Sequence, residues 1–441
     1  MDEQQLDEQQ RLQREHDAVE GNTHGKNKWA ILITVLVMTF MSCLDSSIVN
    51  VALPVMQREL GVGLSQIQWV SSVYLAATCI AMLAFGRLGD RRGKVYVFQF
   101  GVALFTVGSA LCGFSHDLGM LVVSRAVQGV GCAAAMANNM GIITESFPDH
   151  ERGRAMGILS TFVALGLMCG PVIGGLIVAS FPWEGIFLIN IPVGVISFLV
   201  GLKTLPHVRP ATDISDIPLA QAARMCFSNG TFTLNLSTMI IAFVGVGASE
   251  FVLPFYFQDA HGFSTTVAGL LFVTIPAVTA VVGPIAGSVS DRIGGEIPTM
   301  VGLAVYVIGM VIVGLLDETS SIAEIVAFVG IMSLGTSIFQ SPNNSLFMGS
   351  APREALGFAG SMGSLVRYLG MAVGITGSSA VLYGQMSVAA GRTVNAYVPG
   401  HPEIFLYGFR WVFWLLAAII AVGFALTVVR EVQARRRRAA A

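Results

Sequence analysis

Long apolar segments recur along the whole chain and restrict what it can fold into. A helix needs about 20 mostly apolar residues to cross the hydrocarbon core of a bilayer, which is about 30 Å thick. Such segments occur at twelve places, six on each side of a polar stretch at 204–230. They are 30–54, 66–88, 95–114, 119–144, 154–180, 185–203, 232–257, 264–289, 297–316, 322–347, 355–384 and 405–429. The sequence therefore predicts an all-α membrane protein with twelve transmembrane helices.

The low content of charged residues separates this chain from soluble proteins. Of the 441 residues, 54% are hydrophobic and only 12% are charged, whereas soluble domains have about 25% charged residues. The sequence has no Gly-x-x-x-x-Gly-Lys-Ser/Thr loop for a nucleotide phosphate and no His/Cys cluster with the spacing of metal ligands. We therefore expect the lipid bilayer as a partner, and no enzymatic activity, bound cofactor or nucleic acid.

The distribution of basic residues predicts the orientation in the membrane. If both termini are cytoplasmic, 20 of the 25 Lys and Arg residues lie on the cytoplasmic side. Such an excess is typical of cytoplasmic loops, so we expect a multi-pass protein of the inner (cell) membrane with both termini inside. Residues 1–28 are polar and predict a disordered cytoplasmic tail. Residues 431–441 predict a basic cytoplasmic tail, attracted to anionic headgroups.

An internal repeat divides the chain into two related halves. The loop motif Gly-x-x-x-Asp-Arg-x-Gly at 86–93 recurs at 287–294, an offset of 201, and Asn50 aligns with Glu250 at an offset of 200. Glycine and proline positions in the following helices repeat at an offset of 204. We predict six-helix bundles at 29–203 and 231–430, joined by a cytoplasmic linker at 204–230. Parallel repeats of this kind place a solute site between two bundles that rock against each other.

Four sequence motifs indicate a family. The loop after the second helix reads Gly-Arg-Leu-Gly-Asp-Arg-Arg-Gly-Lys at 86–94, and the first helix contains Leu-Asp-Ser-Ser-Ile-Val-Asn-Val-Ala-Leu-Pro at 44–54. The fourth helix contains Arg-Ala-Val-Gln-Gly-Val-Gly at 125–131, and the fifth contains Gly-Leu-Met-Cys-Gly-Pro-Val-Ile-Gly-Gly at 166–175. Together these motifs resemble the drug:proton antiporters of the major facilitator superfamily, most of all the fourteen-helix branch. The chain departs from that branch because a 27-residue linker at 204–230 cannot hold two further helices.

The resemblance implies the major facilitator fold and a function. A monomer would export small lipophilic or cationic compounds by alternating access, with protons as the second partner and the proton gradient in place of a cofactor. The motifs also imply residues for gating and conformational change. These are Gly86, Asp90, Arg91, Gly93, Lys94, Gly166, Gly170, Pro171, Gly174, Gly175, Asp291 and Arg292.

Ionisable residues inside the predicted helices are the candidates for chemistry. A charge at the bilayer centre costs at least about 2.5–3.5 kcal/mol, so each charged residue there requires a reason. The chain has Asp45, Arg125, Glu250 and Arg367 in such positions. With their polar neighbours they form the candidate set for proton coupling or solute binding. The set is Asp45, Asn50, Tyr74, Arg125, Gln128, Glu250, Asn343, Asn344 and Arg367.

Each charged residue has alternative roles. Asp45 can exchange a proton or serve as a packing partner, and Arg125 can support proton coupling or act as a fixed counter-charge to Asp45. Glu250 is the strongest candidate for a titrating or cation-sensing group, and its alternative is a position near the outer leaflet. Arg367 can neutralise Glu250, hold an anionic solute or pack near helix ends.

Two other functions remain compatible with the sequence. One is a metabolite or organic-anion carrier in which Arg125 and Arg367 bind the solute. The other is a transporter-like receptor or lipid-handling protein without turnover.

Overall fold

The computed structural model describes residues 28–206, 219–352 and 355–440, and twelve helices in these ranges are long and apolar enough to cross a membrane. This confirms the predicted all-α fold. The helices are α1 (Lys28–Leu60), α2 (Trp69–Arg92), α3 (Lys94–Gly113), α4 (Leu118–Ser146), α5 (Asp149–Ser180), α6 (Asn190–Thr204), α7 (Gly230–Phe255), α8 (Thr274–Ile293), α9 (Glu296–Val313), α10 (Ile322–Gly349), α11 (Leu356–Ala390) and α12 (Pro402–Ala440). The predicted tail at 1–28 lies, apart from Lys28, outside the described residues.

Shorter helical segments extend several of these helices. One-turn segments at Leu64–Ile67 and Gly185–Leu188 precede α2 and α6, and Thr265–Phe272 precedes α8. A π-helical turn, Tyr256–Ala260, continues α7. The linker contains a short helix at Leu219–Phe227, and its residues 207–218 lie outside the described part of the chain.

The predicted tail at 431–441 is not separate from the last helix. Helix α12 continues without a break to Ala440. The reason is composition, because this segment consists of Ala, Arg, Gln, Glu and a single Val, and four of these five residue types are strong helix formers.

Helix packing follows the sequence repeat. In the first half α1 packs on α5 and α3 on α4, and in the second half α7 packs on α11 and α9 on α10. The two bundles meet through α2 with α11 and through α5 with α8. These two contacts are equivalent under the repeat, since α2 corresponds to α8 and α11 to α5. The bundles are therefore related by an approximate two-fold axis between α1 and α7.

Glycines at equivalent positions allow the closest helix approaches. A Cβ atom on Gly131 would overlap the backbone of Phe105 in α3, and one on Gly335 would overlap the backbone of Tyr306 in α9. Small residues allow such close backbone contact between membrane helices. The repeated glycines thus set the same α3–α4 and α9–α10 spacing in both bundles.

The repeated loop motif forms the same sharp turn twice. Gly93 between α2 and α3 has a φ of 106°, and Gly294 between α8 and α9 has a φ of 87°, a backbone conformation that favours glycine. Lys94 forms an ion pair of 2.5 Å with Glu145 at the end of α4. We call this side of the molecule the α2–α3 end and the opposite side, at residues 61–63, the α1–α2 end.

Other residues of the loop motif contribute less to the described structure. Gly86 packs loosely, since a Cβ there would lie 3.9 Å from that of Ala137. Arg91 and Arg292 are exposed. The side chains of Asp90 and Asp291 lie outside the described residues, so their predicted roles stay predictions.

The glycine contacts predict a difference between two identical substitutions. Gly131→Ala should lower the unfolding free energy by about 1–3 kcal/mol because the added methyl overlaps the Phe105 backbone. Gly377→Ala in α11 has open space around its Cβ and should change stability by no more than about 0.5 kcal/mol. Thermal unfolding of the two purified variants in detergent measures this. Equal midpoints for both variants would contradict the packing account.

Candidate functional site

A fully buried polar cluster occupies the centre of the first bundle. Arg125 of α4 donates a hydrogen bond of 2.8 Å from a terminal guanidinium nitrogen to Oδ2 of Asp45 in α1, and the two side chains are 1% and 0% exposed. Oδ1 of Asp45 accepts hydrogen bonds from Gln128 at 2.9 Å and from Asn190 at 2.7 Å. Gln128 also donates to Ser109 of α3 at 2.7 Å. Both carboxylate oxygens of Asp45 are therefore satisfied.

The guanidinium of Arg125 is enclosed as well. Its Nε donates to the backbone carbonyl of Val70 in α2 at 3.1 Å, and a terminal nitrogen also donates to Oε1 of Gln128 at 2.6 Å. The ring of Tyr74 lies 4.0 Å from the guanidinium carbon, within cation–π range. The structure thus contains the fixed counter-charge pair that the sequence offered as one role for Arg125, and it places Tyr74 against that pair.

The second bundle has apolar residues where the first has this cluster. Under the repeat, the positions of Asp45, Arg125, Gln128 and Ser109 are taken by Gly245, Val329, Met332 and Met310. The last three are buried. The two halves therefore share their packing but not their internal charges.

Glu250 and Asn50 meet across the boundary between the bundles. These repeat-equivalent residues lie on α7 and α1, and Nδ2 of Asn50 donates to Oε2 of Glu250 at 3.4 Å. Asn50 is buried and Glu250 is half-buried. No Lys or Arg of the described chain forms an ion pair with Glu250, so this carboxylate, unlike Asp45, has no counter-charge there.

The bundles are also joined two turns further along α1 and α7. Arg58 forms an ion pair of 2.6 Å with Asp259, and Gln258 donates to the backbone carbonyl of Val51 at 2.9 Å. The π-helical turn that ends α7 carries both Gln258 and Asp259. We call these contacts the Arg58–Asp259 latch. It ties α1 to the end of α7 at the α1–α2 end of the molecule.

The glycine-rich motif of α5 makes contacts on two sides. Toward α1, a Cβ on Gly166 would lie 2.8 Å from that of Cys43, and one on Gly174 would lie 2.7 Å from the Cγ1 of Ile48. Gly170 lies between them, and a Cβ there would overlap the Ser47 side chain. These glycines hold α5 directly against the helix that carries Asp45.

The other side of α5 contacts the second bundle. A Cβ on Gly175 would lie 2.7 Å from the carbonyl oxygen of Thr265, and one on Gly269 would overlap the carbonyl of Pro171. The Thr265 hydroxyl donates to the Gly175 carbonyl at 3.4 Å. The predicted motion-related residues of α5 thus form one of the two surfaces on which the bundles meet.

The suggestion that Arg367 neutralises Glu250 is wrong. The guanidinium carbon of Arg367 lies 5.5 Å from the ring centroid of Phe243 in α7. Phe243 precedes Glu250 by seven residues, which is about 10 Å along a helix. Arg367 is eleven residues from the start of its own helix at Leu356, and its packing against the ends of other helices stays a prediction.

The remaining candidates, Asn343 and Asn344, lie on α10. Asn343 is fully buried, accepts a hydrogen bond from Thr238 at 3.3 Å and donates to the Asn235 carbonyl at 3.4 Å. It therefore ties α10 to α7, while Asn344 is half-buried.

Four site residues were missed by the sequence reasoning. Ser109 and Asn190 complete the buried cluster, and Gln258 and Asp259 form part of the latch. The signal for Ser109 and Asn190 was a polar residue within an apolar segment. The signal for Asp259 was its offset of 201 from Arg58, which is the repeat offset.

The fold and the polar interface between its bundles define a class, the secondary transporters built from two parallel six-helix repeats. Residues 35–375 match the Major Facilitator Superfamily. The chain belongs to this family.

Known transporters resemble the chain over most of its length. Riboflavin transporter RibZ of Clostridioides difficile is 31% identical over 91% of this chain and 97% of its own. Multidrug resistance protein Stp of Mycobacterium tuberculosis is 26% identical, covering 82% and 77%. The tetracenomycin C resistance and export protein of Streptomyces glaucescens is 28% identical, covering 78% and 74%. The fold matches a bacterial homolog of the human lysosomal transporter Spinster, with a TM-score of 0.75, 18% identity and coverage of 91% and 96%.

Removing one partner of the buried ion pair should be more damaging than neutralising both. Arg125→Leu leaves the Asp45 carboxylate buried without its counter-charge, which costs about 3–5 kcal/mol. The double variant Asp45→Asn/Arg125→Gln keeps the polar contacts without charges and should recover part of the loss. Thermal unfolding and the yield of monodisperse protein measure both. A double variant less stable than Arg125→Leu would contradict this account.

Breaking the latch should open the α1–α2 end. Asp259→Asn removes the charge attraction to Arg58 and should increase the population with separated bundles at that end. Spin labels are attached at Glu59→Cys and Arg392→Cys in a variant without native cysteines. Double electron–electron resonance then measures the distance between the two labels. Asp317→Asn is the matched control, because Asp317 bonds within its own loop to Thr319 and Ser320. Identical distance distributions for both variants would show that the latch does not hold this end closed.

Proposed function

We propose that the chain is a proton-coupled exporter of small lipophilic or cationic compounds that works by alternating access. It acts as a monomer in the inner membrane, with both termini cytoplasmic, and the α1–α2 end faces outward. The proton gradient supplies the energy. The observation that carries this proposal is the half-buried Glu250 carboxylate at the boundary between the bundles, with only Asn50 as a hydrogen-bond partner in the described chain.

Glu250 suits an exchange of a proton for a cationic solute. Its hydrogen bond to Asn50 measures 3.4 Å, longer than the usual 2.7–3.2 Å range. A carboxylate held this loosely can take a proton or a cationic group, but not both, since the protonated form has lost its charge. Entry of a proton from outside would release the solute, and loss of the proton inward would restore the site.

Asp45 has a different role in this scheme. Its two oxygens are occupied by Arg125, Gln128 and Asn190, and its side chain has no exposure. We assign the Asp45–Arg125 pair to holding the first bundle as a rigid body. Rigid bundles are what a rocking mechanism requires.

The contacts between the bundles suit such rocking. The Arg58–Asp259 latch must break for the α1–α2 end to open. The surface between α5 and the segment Thr265–Phe272, where Gly175 and Gly269 allow backbones to touch, carries no side-chain ion pair in the described chain and can act as the pivot. Family membership and the names of relatives that confer drug or antibiotic resistance support export.

A second candidate function is carriage of an uncharged or anionic metabolite. It is favoured by the likeness to a relative named as a riboflavin transporter and by Arg367, a cation in α11 without an ion-pair partner among the described residues. Proton coupling through Glu250 is not needed for such a carrier.

A single substitution should separate coupled export from the alternative. Glu250→Gln in proteoliposomes should reduce ethidium transport driven by a pH gradient at least tenfold, because glutamine cannot carry the proton. Glu324→Gln is the matched control, since Glu324 caps the start of α10 at the exposed surface. Fluorescence of ethidium and of a pH-sensitive dye measures both fluxes.

The contrary outcomes are distinct. Unchanged pH-driven ethidium transport in Glu250→Gln would refute the carboxylate mechanism. Riboflavin transport that does not depend on the pH gradient, together with no ethidium transport by the wild type, would favour the metabolite carrier.

A further inference from the structure

An arginine without a counter-ion among the described residues lies deep in α11. Arg367 follows the first residue of that helix, Leu356, by eleven positions, which corresponds to about 16 Å along the axis. Charged side chains at such depth are costly and mark functional sites. In α4, the cost of burying Arg125 is offset by its ion pair with Asp45.

The donors of Arg367 are largely unused. Its Nε is buried and has no hydrogen-bond partner, and no carboxylate of the described chain forms an ion pair with it. The Phe243 ring at 5.5 Å attracts the cation but accepts no hydrogen bond in its plane. A guanidinium carries five N–H donors in a rigid fork, so this group can bind an acceptor that the protein itself does not supply.

The segment around Arg367 faces the first bundle. The backbone carbonyl of Leu365 accepts a hydrogen bond from Sγ of Cys79 in α2 at 3.6 Å. Arg367 and Tyr368 both lie in the neighbourhood of Cys43 of α1, and Tyr368 also lies near Cys132 of α4. Arg367 itself is only half-buried, so part of its side chain stays accessible next to this contact.

We propose that Arg367 binds an oxyanion or a pair of carbonyl oxygens on a planar solute, with the ring system of the solute beside Phe243 and Tyr368. The planar fork matches two oxygens held side by side, and the two aromatic rings supply flat apolar surface. This subsite rests on the proposed solute pathway between the bundles. It lies about 10 Å along α7 from Glu250, so cationic and anionic groups of a solute would bind at different depths.

Two dyes with one ring system test the subsite. Fluorescein carries a free carboxylate, with two oxygens side by side, on the phenyl ring attached to its xanthene, and rhodamine 6G carries the esterified form of that group and a cationic xanthene ring. Arg367→Ala should weaken fluorescein binding to the purified protein at least tenfold and leave rhodamine 6G binding unchanged. Arg367→Lys should restore only part of the loss, because an ammonium cannot form the two-pronged contact. Fluorescence anisotropy measures both affinities.

Controls separate this inference from the proposed function. Arg392→Ala removes an exposed arginine from a loop and should bind both dyes as the wild type does, and melting temperatures confirm that the variants are folded. Equal fluorescein affinity in the wild type and in Arg367→Ala, or no saturable fluorescein binding to the wild type, would overturn the subsite. Neither result would alter pH-driven ethidium transport and its dependence on Glu250, so that proposal stands or fails by its own assay.

Discussion

The first bundle depends on one constraint. The buried Asp45–Arg125 charge pair must keep hydrogen-bond partners for its donors and acceptors. A charge pair inside an apolar medium repays the loss of its hydration only when its geometry is good and the remaining donors and acceptors are bonded. Here the partners come from α1, α3, α4 and α6, and the Val70 carbonyl of α2 adds a fifth helix. Five helices must therefore keep their relative positions for the pair to stay satisfied. The remaining helix of the bundle, α5, is held against α1 by its glycines.

The repeat determines the helix packing that the two halves share. The candidate functional residues lie at positions where the two halves differ. Both halves have the same helix pairs and the same glycine contacts, yet Asp45 corresponds to Gly245 and Asn50 corresponds to Glu250. Asp45 and Glu250 thus lie in different bundles and at different depths. One is sealed among hydrogen-bond donors, and the other lies at the surface that the bundles share. A division between a structural and an exchangeable carboxylate follows from this placement.

The same axis explains why the contacts between the bundles pair equivalent residues. Positions on α1 and α7 that the repeat relates must approach each other when those helices flank the two-fold axis. Asn50 contacts Glu250. In the latch, Arg58 contacts Asp259, which follows it by 201 positions in the sequence. Identical acidic residues would repel there, so the attraction depends on the two halves having diverged.

The fold was predictable from the length of the apolar segments and from the internal repeat. Side-chain contacts between helices were predictable only where few residues could form them. Asp45 and Arg125 are opposite charges within the spans of one half, so their pairing was foreseen as one alternative. Asn190 and Ser109 were missed, because a single polar residue in an apolar segment does not reveal which helix it faces. The Arg367–Glu250 pairing was wrong, and depth showed why: the residues lie eleven and twenty positions after the starts of α11 and α7.

Proton release on solute binding tests the central claim, a single exchangeable carboxylate at the boundary between the bundles. Ethidium is added to wild-type protein in detergent, in weakly buffered solution with a pH indicator, at a pH where the free site is protonated. The account predicts measurable release, up to one proton for each ethidium bound, and the same release from protein carrying Asp45→Asn. Saturable ethidium binding without any proton release, or release that disappears in Asp45→Asn, would contradict it.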